Sequence, residues 1–265
     1  MSMSEDRIEA GSHVPQLGDE PASAVNPTTA DTPTATVLRE LTTTPGPSVL
    51  LIHGLASSSA ANWVATRWVR SLGTAGFHVW AVDLPAHGMV RPVPSITRET
   101  LCAEIIGHAR RISSDPVVAV GYSLGAQLLY QCAASAPSRF SRLVLGGFSM
   151  VDRLTAVLET PDFLVDPAQR HLARCLVSDP FHADAAVPHQ PALLFSGADD
   201  AWSTPGDHAV FLAARRRRRT GESEPPTEVH VEPKRDHVNV VTSKRVRDTA
   251  VRFLPGRTPG ASHGA

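Results

Sequence analysis

The chain has little cysteine. Its 265 residues hold three, Cys102, Cys132 and Cys175, odd in number and far apart. They form no C-x-x-C pair and no disulfide framework, so the expected setting is a reducing compartment, the cytoplasm. Aromatic residues make up only 5% of the chain, which argues against a base-stacking surface. The net charge of −1 gives no overall field that would attract nucleic acid or an anionic membrane. No stretch approaches the ~18 consecutive apolar residues of a membrane-spanning helix. The N-terminus lacks the basic region and apolar run of a secretory signal. These absences leave a small molecule as the expected partner, with no nucleic acid and no membrane. Oligomeric state is not legible.

What is present supports a core. Hydrophobic residues reach 42%, and the length suits one large α/β domain or two small ones. Residues 1–34 are rich in Ser, Thr, Pro, Ala, Asp and Glu. Such a segment buries too little apolar surface to offset its ordering entropy, and it reads as a disordered tail. Residues 255–265 read as a second flexible tail. Between them, short β-branched runs alternate with helical periods. Strands are expected at Val37–Leu41, Ser48–His53, His78–Asp83, Val117–Tyr122, Arg142–Gly147, Pro191–Ser196 and Glu228–Glu232. Helices are expected at Trp63–Leu72, Thr97–Ile112, from the end of the fourth strand to about Ala136, and at Ser243–Phe253, with Ser243 as N-cap. This alternation, with near-continuous apolar strands, predicts an α/β fold: a mostly parallel central sheet with helices on both faces. The core comprises 35–148 and 189–254. Residues 149–188 lack a strand and carry helical fragments at about 151–159, 167–177 and 181–186, which suits a short helical cap insertion. Arg215–Arg219 are five consecutive arginines followed at once by acidic residues. They read as a solvated helix end and not as a nucleic-acid patch.

Gly121-Tyr122-Ser123-Leu124-Gly125 carries the most information. It lies between an apolar strand and a helical pattern, the setting of a nucleophile elbow. The turn is tight enough that side chains at 121 and 125 would strike backbone, and it drives the Ser123 hydroxyl outward at a helix N-terminus. Acyl transfer from a serine also needs a base, a carboxylate that orients it, and donors for an oxyanion. His237 follows the last strand by a short loop, and that position selects it from 12 histidines. The carboxylate comes from Asp199 or Asp200 after the PALLFS strand, with the G-x-x-D spacing favouring Asp200. The backbone N–H groups of Leu124 and of Leu55, in the loop after the SVLLIH strand, are the candidate oxyanion donors. His53 and His87 read as loop-shaping residues.

With these pieces assembled, the chain resembles the α/β-hydrolase superfamily over roughly residues 35–254. The matching stretches are LLIHGLASS, VWAVDLPAHG, VAVGYSLGA, LLFSGADD and RDHVNVV. The resemblance implies an eight-strand type of mostly parallel sheet and a serine esterase or lipase-like enzyme with a small cap. It also implies no cofactor, no metal, and a triad of Ser123, Asp200 and His237 with Leu55 and Leu124 as oxyanion donors. A carboxylic ester is the expected substrate. Thioesterase, amidase, perhydrolase and carbon–carbon hydrolase activities use the same triad, and a non-catalytic ligand-binding member is the alternative from another class. Members with an aspartate nucleophile, the dehalogenases and epoxide hydrolases, are disfavoured by the serine. Two departures stand out: Ala86 precedes His87, and Asp236 precedes His237, both where glycine is usual. Phe148, Met150 and Trp202 are the expected substrate contacts, with Leu154, Leu158 and Phe163 as further candidate liners.

Overall fold

A computed structural model describes residues 35–217 and 225–254. The two tails expected at 1–34 and 255–265 lie outside the described residues, as do Arg218 and Arg219. Seven strands form one sheet: β1 (Val37–Glu40), β2 (Ser48–Ile52), β3 (His78–Asp83), β4 (Val117–Tyr122), β5 (Phe140–Gly146), β6 (Ala192–Gly197) and β7 (Thr227–Glu232). Their order is β1-β3-β2-β4-β5-β6-β7. Only the β1–β3 pair is antiparallel. The eighth strand implied by the resemblance has no counterpart among the described residues.

The apolar runs follow from burial on both faces. Leu50 and Ile52 of β2 point into one core with Leu101, Ile105 and Leu128. Val49 and Leu51 point into the other with Trp68, Leu72, Val246 and Phe253. A strand with helices on both sides has no solvent face on which polar residues could alternate. The helices are α1 (Trp68–Thr74), α2 (Arg98–Ile112), α3 (Leu124–Ser135), α4 (Leu154–Glu159), α5 (Pro167–Val177), α6 (Pro205–Arg217) and α7 (Lys244–Phe253). Helix α1 packs against α7, and α2 against α3. Thr97 and Ser243 cap α2 and α7 by accepting from the N–H groups of Thr100 and Val246.

Two helical expectations are corrected. The single helix expected at Trp63–Leu72 is instead a π-helical turn at Ala60–Val64 followed by α1. Arg67, at φ 68°, separates them, because a left-handed residue cannot sit inside a right-handed helix. The fragment expected at 181–186 is only a turn, with the Ala185 N–H reaching the His182 carbonyl at 3.2 Å. Pro180 precedes it, and the Phe181 N–H goes to the Asp152 carboxylate at 2.8 Å, away from any helical ladder. Between β5 and β6 the chain therefore carries two helices, α4 and α5.

Candidate active site

Ser123 sits between β4 and α3 with φ 53° and ψ −117°. This backbone region costs a non-glycine residue about 1–3 kcal/mol, and here the surroundings over-determine it. A Cβ at Gly125 would lie 2.2 Å from the Ile52 carbonyl oxygen, and one at Gly121 would lie 2.5 Å from the Gly125 oxygen. The turn can close only with hydrogen at both places. The Ser123 N–H is held by the Gly146 carbonyl of β5 at 2.8 Å, which leaves the side chain free to face outward.

His237 arrives on the loop after β7. Asp236, the departure from glycine, shapes that loop: its Oδ1 accepts from the N–H groups of Val238 and Asn239 at 2.8 and 2.9 Å. In return the Asn239 side chain accepts from the Asp236 N–H at 3.1 Å. Gly197, at the end of β6, lets the loop pass close; a Cβ there would sit 1.9 Å from the Arg235 oxygen. The imidazole Nε2 lies 2.9 Å from Ser123 Oγ, and Nδ1 lies 2.9 Å from Asp200 Oδ2. A carboxylate can only accept, so the Nδ1 proton points to Asp200 and Nε2 is left to accept from the serine hydroxyl.

Asp200 is buried, and its Oδ1 also accepts from the N–H groups of Trp202 and Ser203, both at 2.8 Å. That turn fixes the carboxylate before it meets the imidazole. Asp199 is exposed, and among the described residues only its backbone N–H is engaged, with the Arg235 carbonyl. Of the two aspartates the sequence left open, the structure brings Asp200 to His237. Among the described residues no acceptor pairs with the N–H of Leu55 or of Leu124, and both residues line the same cavity as Ser123 and His237.

The cavity measures about 560 Å³. Besides the residues above it is lined by Asn62, Gln127, Arg153, Leu154, Val157, Phe163, Trp202 and Val238, among others. Trp202 thus sits where a substrate contact was expected, but Phe148 and Met150 do not. Phe148 is wholly buried, stacked on Tyr130 and edge-on to Phe181 and Phe211, and Met150 joins the same core cluster. Leu158 is also absent from the wall. The cause is local: Gly147 and Ser149 line the cavity, and Phe148 between them turns inward against Tyr130 of α3.

Over residues 49–263 the sequence matches the alpha/beta hydrolase family. The chain belongs to the alpha/beta hydrolase family. Among curated relatives, the hydrolase is 32% identical to a pimeloyl-[acyl-carrier protein] methyl ester esterase of Nitrosospira multiformis, over 38% of each chain. It is 31% identical to bifunctional epoxide hydrolase 2 of Sus scrofa over 36% of this chain and 17% of that one. Each match spans well under two thirds of the relative's length. A solved thermophilic esterase from Thermogutta terrifontis shares the fold at a TM-score of 0.63 and 20% identity, over 82% of this chain and 92% of that chain.

Three contributors to this hydrolase site escape sequence reasoning. The Tyr122 hydroxyl donates to the His237 carbonyl, and its ring lies 5.7 Å from the imidazole. Burial first, then Asp200 and Asp236, push its pKa well above the usual value, so the phenol stays a donor. Asn62 Oδ1 accepts from the Gly54 N–H at 3.2 Å and so holds the loop that carries Leu55. Arg153 reaches the cavity from the start of α4. The position of Tyr122 inside the elbow was a usable signal; no local pattern singles out Asn62 or Arg153.

Proposed function

We propose that the chain hydrolyses a carboxylic ester of a small or medium substrate through an acyl-enzyme on Ser123. His237 takes the serine proton as Oγ attacks the carbonyl carbon, and Asp200 steadies the imidazolium that forms. The Leu55 and Leu124 amides hold the tetrahedral oxyanion, each contributing about 2.7–4 kcal/mol. His237 passes its proton to the leaving alcohol. It then takes a proton from water, whose oxygen attacks the acyl carbon. Collapse releases the acid and restores the serine. Residues 149–188 act as a small cap on the core of 35–148 and 189–254. The chemistry draws on side chains and backbone alone, and the reducing cytoplasm remains the proposed setting, since all three cysteines are free thiols.

The observation that carries this reading is the continuous hydrogen-bonded line from Asp200 through His237 to Ser123, ending at a strained serine on the cavity wall. The esterase name of the relative from Nitrosospira multiformis supports it. The epoxide hydrolase relative supports the fold, but the elbow here carries serine and not the aspartate nucleophile of that class. The test is a panel of p-nitrophenyl esters, thioesters and anilides against the native chain and Ser123→Ala. Ester turnover in the native protein, cut roughly 10⁴-fold or more in a folded Ser123→Ala variant, is the expected result. Equal turnover by the two proteins rejects the mechanism; turnover of thioesters or anilides in place of esters moves the substrate class.

A further inference from the structure

Arg153 is the one Lys or Arg among the described residues lining the cavity. Such a side chain, half-buried in a structure, is normally engaged. This one has only a long ion pair: among the described residues its guanidinium donates no hydrogen bond, and its Nε is buried with no partner. Its nearest anion is Asp207, at 3.7 Å from a terminal nitrogen. That carboxylate is already occupied. Its Oδ1 accepts from the Ser149 hydroxyl at 2.6 Å, and its Oδ2 accepts from the Thr204 N–H and hydroxyl, both at 2.8 Å. These donors satisfy Asp207 without Arg153, so its charge orients the guanidinium without capping it. The side chain of Arg153 remains 40% exposed, with the terminal nitrogens accessible. The one acid among the described residues lining the cavity, Asp162, is exposed and makes no ion pair with Arg153, so water screens its charge.

The same wall carries the apolar side chains of Leu55, Leu154, Val157, Phe163, Trp202 and Val238. A guanidinium with free donors in an apolar cleft recognises an anion on the end of a hydrocarbon chain. Resting on the ester-hydrolase reading above, we propose that the cavity takes esters that bear a second, free carboxylate, monoesters of dicarboxylic acids, with Arg153 as the residue that binds that carboxylate. A single arginine carries one positive charge, too little to balance a dianionic phosphate. A singly charged carboxylate, able to take two parallel N–H bonds, matches the donors available.

The test compares monomethyl adipate with methyl hexanoate, esters of equal chain length that differ in the free carboxylate. The native protein should favour the acid ester in kcat/KM by about 10- to 100-fold, the usual worth of a charge-assisted hydrogen bond. Arg153→Gln should bring the ratio near one, and Arg153→Lys should restore part of it. A native ratio at or below one, or a ratio unmoved in Arg153→Gln, overturns the proposal. Calorimetric titration of Ser123→Ala with monomethyl adipate separates this inference from the hydrolase reading, because binding needs no turnover. Binding that is lost in Ser123→Ala/Arg153→Gln sustains the carboxylate site even if no ester is cleaved; no binding to Ser123→Ala overturns it even if neutral esters are cleaved. Equal preference for a phosphate monoester of the same length also counts against it.

Discussion

Two groups of histidines lie near the C-terminal ends of the central strands, and they are built for opposite ends. His53, after β2, is fully buried, with Nδ1–H donating to the Gly54 carbonyl at 2.8 Å and Nε2 accepting from the Leu84 N–H at 3.0 Å. His87 repeats the pattern, donating to the Pro85 carbonyl at 2.7 Å and accepting from the Ala56 N–H at 3.0 Å. Both nitrogens of each ring are spoken for by backbone, so each is fixed in its neutral form. Burial first, then the neighbouring His87, lowers the pKa of His53 to about 4, against the opposing pull of Gly54 and Asp83. His237 has the same chemistry but a different arrangement. One nitrogen is tied to a buried carboxylate, and the other meets a hydroxyl on a cavity wall. A ring held by backbone at both ends shapes a loop; a ring with one end on an ionised group and the other on a nucleophile can pass a proton.

The largest effect expected from this contrast is on turnover. Asp200→Ala should lower kcat roughly 10³- to 10⁴-fold with the protein still folded by circular dichroism, since it removes the group that orients the His237 ring. Asp199→Ala, one residue away but exposed, should leave kcat unchanged and stability within about 0.5 kcal/mol. Equal losses in the two variants erase the distinction between a buried, fixed carboxylate and its neighbour.

The next effect is on stability. His53→Gln breaks two buried backbone partnerships and should cost about 2–4 kcal/mol in chemical denaturation. Activity per folded molecule should fall far less than in Asp200→Ala. A variant as stable as the native protein but inactive reverses the roles assigned to the two groups.

Acid sharpens the comparison further. The folded pKa of His53 lies below its ordinary value of 6.5, so the unfolded chain binds the extra proton. Its contribution is fully present above pH 6.5 and is lost as pH falls toward about 4, a change on the order of 3 kcal/mol. His87, His108 and His208, all lowered first by burial, act in the same direction. Denaturation midpoints measured between pH 7 and pH 4 should therefore fall steadily, and less steeply in His53→Gln. A flat profile contradicts a neutral, buried His53.

The strands were legible because burial on both faces writes itself as an unbroken apolar run: His78–Asp83 and Val117–Tyr122 begin and end where the pattern predicts. The elbow was legible for a related reason, since Gly121 and Gly125 are steric necessities. Where the pattern failed, the cause lay in tertiary detail. Nothing local announces that Arg67 adopts a left-handed backbone and splits a helix, or that Phe181 gives its N–H to Asp152. Phe148 looked like a pocket residue because apolar side chains after β5 read alike whether they face a cavity or a core. Arg153 was silent for the opposite reason: one arginine among many acquires meaning only when its unfilled hydrogen bonds can be seen.

The central claim is that the hydroxyl at Ser123 is made nucleophilic by the imidazole it touches. Labelling with a fluorophosphonate, followed by peptide mapping in a mass spectrometer, tests it most directly. The account predicts a single adduct on Ser123 in the native chain, and labelling slowed by several orders of magnitude in folded His237→Ala. An unlabelled native protein, an adduct on another serine, or undiminished labelling without His237 contradicts it.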